Sequence, residues 1–154
     1  MPGIRPVFEK GPLTFFATTT ANNGKIIGGQ LVEPDGTTGK IKVCTADSAK
    51  CLGVATGDAA PSDYAIATAT DGWGNPVVDG GMQPPNEVAV AYQGVWRLTA
   101  TGAIAFGDLV ACAASGTVKT IGAGVFGTVI GRCVEPGGIA NGAKGKILLG
   151  GVGA

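Results

Sequence analysis

The sequence predicts an all-β fold: a compact antiparallel β-barrel or sandwich with an extended N-terminal arm and a long Gly/Pro-rich loop. Three observations carry this. No stretch of 11 or more residues places apolar side chains at i, i+3, i+4 and i+7 without an interrupting glycine. Short runs rich in β-branched residues recur instead, bounded by Gly, Pro, Asn and Asp. Glycine supplies 28 of 154 residues, far above the usual share of about 7%. Leu, Ile, Val and Phe together supply 37 of 154, enough to lift the chain out of the disordered range. The length suits one ordinary domain with a core of its own.

In chain order, residues 1–12 hold Pro2, Pro6 and Pro12, which disfavour helix and read as an extended arm. Residues 13–150 form a single β domain. Its expected strands are Leu13–Thr20, Ile26–Val32, Lys40–Thr45, Cys51–Ala55 and Tyr64–Thr68. Glu87–Tyr92 (EVAVAY) alternates large and small residues at period 2, as a strand lying on a core does. Val95–Thr99, Asp108–Cys112, Thr117–Ile121, Val125–Ile130 and Lys144–Leu149 complete the set. Asp71–Asn86 (DGWGNPVVDGGMQPPN) is too long and too rich in Gly and Pro for a simple turn, and loops of this kind often carry function. Residues 151–154 read as a flexible surface tail.

An internal echo runs through the domain. GGQLV, DGTTGKIKV and CLGVATGDA in the first half are answered by FGDLV, SGTVKTI and VIGRCVEPG in the second. This reads as a duplicated β unit, too short to be a solenoid.

Composition excludes several chemistries. There is no histidine, so Ser-His-Asp and Cys-His catalysis and histidine-ligated zinc are impossible within this chain. Eleven basic residues balance eleven acidic ones with no basic block, which argues against nucleic-acid binding. No apolar run approaches the roughly 20 residues of a membrane-spanning helix, and the first residues do not read as a secretory signal. Only 14% of residues are charged, against about 25% usually. That poverty suits a surface covered by partners or by copies of itself. A surface made polar by its 15 threonines is the alternative.

The motif-like segments resolve into ordinary structure. Gly122–Gly127 has GxGxxG spacing but is followed by strand-like TVIGRCV, so a glycine hairpin is expected rather than a dinucleotide site. Ala140 stands where a phosphate loop ending in Gly145-Lys146 needs glycine, and no GxSxG or Ser-x-x-Lys occurs. Asp71, Asn75 and Asp79 fit no calcium loop and read as turn formers. No catalytic residue, cofactor or metal site is expected, and the chain reads as a non-enzyme.

The four cysteines at 44, 51, 112 and 133 form no CxxC pair. Cys44 and Cys51 flank TADSAK and could oppose each other across two strands, with Cys112 and Cys133 in comparable places of the second half. Four buried thiols behaving as small apolar residues is the favoured reading. Trp96 and Tyr92 are expected to pack in the core. Trp73, an aromatic on a loop, is the best interface anchor.

The second half, VAVAYQGVWRL then TGAIAFGDLV, SGTVKTI and TVIGRCVEPGGIANGAKGKILLGG, resembles the bacteriophage head decoration (capsid cement) proteins. The matching positions are Gly94-Val95, Leu98, Ile104, Gly107-Asp108, Val110, Gly131 and Lys146–Leu149, within residues 87–150, with a weaker match over 24–60. The arm and the 71–86 loop are additions to that pattern. The resemblance implies a homotrimer on the outside of an assembled head, made in the host cytoplasm. It implies the major capsid protein as partner, and no nucleic acid, membrane or small-molecule substrate. Clamping several capsid subunits would stabilise the expanded shell against packaged DNA. The partner-binding residues expected are Ile4, Arg5, Val7 and Phe8 of the arm, able to add to a neighbour's sheet edge, and Trp73. A carbohydrate- or receptor-binding β module is the alternative.

Overall fold

The computed structural model describes residues 12–18, 25–36, 38–61, 68–70, 73, 76–78, 85–122 and 126–150. The expected arm (1–12, save Pro12) and tail (151–154) therefore lie outside the described residues, and so does most of the 71–86 loop.

The described chain is all-β: two five-stranded antiparallel sheets and a two-stranded hairpin. The strands are β1 (Leu13–Phe16), β2 (Leu31–Pro34), β3 (Ile41–Val43), β4 (Gly53–Ala55), β5 (Thr68–Thr70) and β6 (Pro76–Val78), followed by β7 (Glu87–Ala91), β8 (Gly94–Thr99), β9 (Leu109–Cys112), β10 (Val118–Thr120), β11 (Val129–Cys133) and β12 (Lys144–Leu149). The first sheet runs β1-β7-β4-β2-β3 and the second β8-β12-β11-β9-β10. The ladders do not close into barrels. A single parallel bridge instead brings each sheet's two outer strands together, Ala17 to Ile41 in one and Ala100 to Val118 in the other.

These two sheets are one unit used twice. Val32 pairs with Gly53 as Val110 pairs with Gly131, both members 78 residues on. Val54 pairs with Ala91 as Arg132 pairs with Leu148, and Leu13 with Val90 as Trp96 with Ile147. The antiparallel bridge Ile26–Ala59 is answered by Ile104–Ile139. The echo seen in three sequence segments thus extends to five strands and their register. The copies differ most in one connection: 31 residues separate β4 from β7 and 10 separate β11 from β12, whereas the β1–β2 and β8–β9 connections differ by five. The difference of 21 is an insertion that carries the β5–β6 hairpin. Its ends are pinched together by the Ala60 N–H donating to the Pro85 carbonyl at 2.9 Å.

The alternating pattern explains the core. Val32, Ala55, Val88 and Val90 face a core that belongs to the first sheet, with Ala17, Ile26, Ile41 and Ala59. Their strand neighbours Leu31, Val54 and Ala91 face the other way and join Leu98, Ile104, Val110, Ile147 and Leu149 of the second sheet. The first sheet is thus covered on both faces, so in EVAVAY Ala91 is buried as well as Val88 and Val90.

Several expected elements shift. Ile26–Val32 breaks at a Gly28-Gly29 turn, with Gly29 at φ +91°. Val125–Ile130 moves C-terminally to β11 behind a short 3₁₀ turn at Phe126–Thr128. Within 71–86, expected as loop throughout, Pro76–Val78 is a strand, and its partner β5 starts where Tyr64–Thr68 was expected to end. The strands on either side of Gly122–Gly127 do not form the expected hairpin, because β10 and β11 both pair with β9 and not with each other. Tyr92 and Trp96 are half-buried rather than core residues. Trp96 packs against the shared core and donates its Nε1–H to the Gln93 carbonyl at 2.8 Å.

Candidate functional site

Two features stand out from the β body: exposed aromatics on turns, and a group of thiols between the sheets. Trp73 lies in the turn between β5 and β6 and is 91% exposed. It sits on the connection by which the two copies of the unit differ most in length. Phe106 and Phe126, exposed at 63% and 69%, were not singled out by sequence. Both precede a glycine in a turn-like setting, Phe106-Gly107 and Phe126-Gly127, and that was the available signal. Ile4, Arg5, Val7 and Phe8 lie outside the described residues.

The thiols are arranged differently from the pairing that spacing suggested. Cys44 follows β3, Cys51 stands two residues before β4, and Cys112 ends β9. Their sulfurs all lie within 4.8 Å of one another. Strands β3 and β4 do not pair; they flank β2, and the 44–51 segment folds back over the end of the second sheet. The Asp47 N–H donates to the Cys112 carbonyl at 3.0 Å and the Gly116 N–H to the Cys44 carbonyl at 3.3 Å. Lys119 Nζ meets Asp47 Oδ2 at 2.6 Å, and Gln30 Nε2 donates to the Ser115 carbonyl at 3.1 Å. Cys133 is buried but stands outside this group. Nor are Cys112 and Cys133 the counterparts of Cys44 and Cys51: by the 78-residue offset Cys51 answers to Val129, Cys133 to Ala55 and Cys112 to Pro34. All four cysteines are free.

The three thiols share protons unequally. The neighbouring Cys112 and Cys44 thiols, and then the Gly53 backbone N–H, hold Cys51 well below the ordinary thiol range against the opposing effect of burial. Cys44 is pushed up, first by its bond with Cys112 and then by that with Cys51 and by burial. For Cys112, the bond with Cys44 lowers its pKa, but the bond with Cys51 and burial outweigh this and the net direction is up. Glu33, itself buried, opposes ionisation of Cys51 and Cys112. It accepts a hydrogen bond from Thr45 Oγ1 at 3.2 Å and lies 3.7 Å from Lys42 Nζ. Lys42 is shared with Asp35 at 3.9 Å. Chemically, the three sulfurs are a soft donor set able to hold a thiophilic ion.

No protein-family model matches the chain, and no curated protein matches it. Among solved structures it is similar to the N base of the head fiber gp8.5 of bacteriophage phi29. The TM-score is 0.57 at 16% sequence identity, over 90% of this chain and 93% of the other. At that identity the likeness shows a shared fold, end to end.

Proposed function

We propose that this chain is a structural protein of a bacteriophage virion, bound to the outside of the head, where it stabilises the expanded shell. The observation that carries the reading is the fold shared over nine-tenths of both chains with a phage head fiber base. It coincides with the capsid-cement resemblance of residues 87–150 and with a charge content too low for an ordinary free surface.

In this reading the duplicated body is a rigid platform and its work is mechanical. A protein that binds only the expanded state stabilises that state by RT ln(1 + L/Kd), where L is its free concentration, about 2.7 kcal/mol per site when L is 100 times Kd. The inserted hairpin presents Trp73 to a capsid subunit, and the arm with Ile4, Arg5, Val7 and Phe8 extends onto a neighbour's sheet edge. The chain is not an enzyme, and it acts as a homotrimer on the major capsid protein.

The test has two steps. Light scattering after size exclusion should give three times the chain mass of 15.1 kDa. Mixing with expanded and unexpanded cognate capsids should then give saturable attachment to the expanded form alone. A strict monomer that ignores both shells but binds host-surface glycans would replace this reading with the receptor-binding one. Deleting residues 1–10 should weaken attachment with the fold intact; undiminished attachment would remove the arm from the mechanism.

A further inference from the structure

We propose that Cys44, Cys51 and Cys112 form a binding site for a single thiophilic d¹⁰ cation, zinc in the first instance. The site is independent of the virion reading.

Geometry comes first. A tetrahedral zinc thiolate has Zn–S bonds of about 2.3 Å, which places bound sulfurs roughly 3.8 Å apart. The three sulfurs already lie within 4.8 Å of one another, so side-chain rotation of under about 1 Å per pair closes the set. The ligands come from both sheets: Cys44 and Cys51 flank β2 of the first, and Cys112 ends β9 of the second. Their backbones are held by the Asp47–Cys112 and Gly116–Cys44 hydrogen bonds, so the site is built before an ion arrives.

Access and charge agree with this. Cys51 is only partly buried and lines a concavity of about 220 Å³ with Tyr92, Ile130 and Leu149. Cys44 lines another of about 390 Å³ with Lys25 and Gln30. Two of the three ligand residues therefore border concavities open to solvent, while Cys112 is fully buried. The Glu33 carboxylate, which disfavours thiolates by themselves, favours a cation among them. Lys42 does not neutralise this field alone, being shared between Glu33 and Asp35. Binding replaces thiol protons, which leave to solvent, and no electron changes hands.

The experiment uses the full-length chain, reduced and freed of metal, titrated with Cd²⁺ and with Zn²⁺ separately. Cadmium should produce a sulfur-to-metal charge-transfer band saturating at one equivalent, and zinc should displace it. Cys51→Ser, at the partly exposed position, should weaken binding by at least the roughly 10–100-fold that loss of even an outer-shell partner costs. Cys112→Ser should do the same, while Cys133→Ala should bind as the parent does. Circular dichroism checks that each variant is folded, and Cys51→Ser decides the matter if Cys112→Ser is not. Absence of a saturable band, or parental affinity in folded Cys51→Ser, overturns the proposal.

Discussion

Replacing Gly131 by alanine tests the packing logic of the repeated unit at a single atom. A Cβ built there lies 2.2 Å from the Leu148 carbonyl oxygen and 3.4 Å from Ile147 Cγ2. The obstacle is backbone, in the strand that pairs with β11 on one side and β8 on the other. It can retreat only by opening the ladder around Gly131–Leu149 and Arg132–Leu148. Overpacking of this kind costs about 1–3 kcal/mol. Each ladder hydrogen bond lost adds about 1 kcal/mol. A total near 3 kcal/mol corresponds to a fall in Tm of roughly 6–12 °C for a chain this size. Gly137→Ala is the control: its Cβ meets nothing within 4 Å and its φ is unremarkable, so it should stay within about 0.5 kcal/mol. Urea unfolding of the three proteins, read by fluorescence of the two tryptophans, supplies the comparison. A Gly131→Ala midpoint equal to that of the control would refute the claim that this strand pair has no slack. Gly53, its counterpart in the first sheet, faces the Ala91 carbonyl oxygen at the same 2.2 Å and adds a φ of +144°. Its alanine variant should therefore lose at least as much.

Other outcomes follow from single contacts. Trp73→Ala should leave the unfolding midpoint within about 0.5 kcal/mol of the parent, because the side chain is 91% exposed. It should weaken capsid attachment by about 2 kcal/mol or more if the residue anchors the interface; equal attachment in a pull-down excludes it as an anchor. Lys119→Ala removes an exposed pair with Asp47 and should cost no more than about 1 kcal/mol by thermal melting. Metal loading should strengthen as pH rises. Cys51 is held below the ordinary thiol range, while Cys44 and Cys112 are held above it. Binding must displace thiol protons, so affinity should rise steadily from pH 6 to 8. Pipette titrations at pH 6, 7 and 8 would show a flat profile if the ion bound elsewhere.

Fold class was legible because the evidence for it is local. Strand periodicity, glycine punctuation and the echo of GGQLV in FGDLV each need only a few neighbouring residues. The echo reached only three segments, because the remaining strands agree in register and not in residue type: Leu13 stands where the second unit has Trp96, and Val90 where it has Ile147. Where pairing passes between distant strands, the sequence offers little. Cys44 and Cys51 looked like two sides of a hairpin because seven positions separate them. They meet instead across β2, with Cys112 brought in from a strand more than 60 residues away. Pro76–Val78 hid inside a Gly/Pro-rich stretch because a three-residue strand is shorter than any periodicity can register. Trp73 was found by its loop context, whereas Phe106 and Phe126 passed unnoticed beside glycines that looked like turns alone.

The pinch between Ala60 and Pro85 has a practical corollary. Because residues 61–84 leave and rejoin the body at two hydrogen-bonded neighbours, Ala60 and Pro85, their number is not fixed by the gap they must bridge. A lineage could lengthen, trade or delete the segment while the scaffold stays unaltered. An engineer could use the same seam as a port, splicing foreign peptides between residues 61 and 85 and expecting the two-sheet body to fold as before.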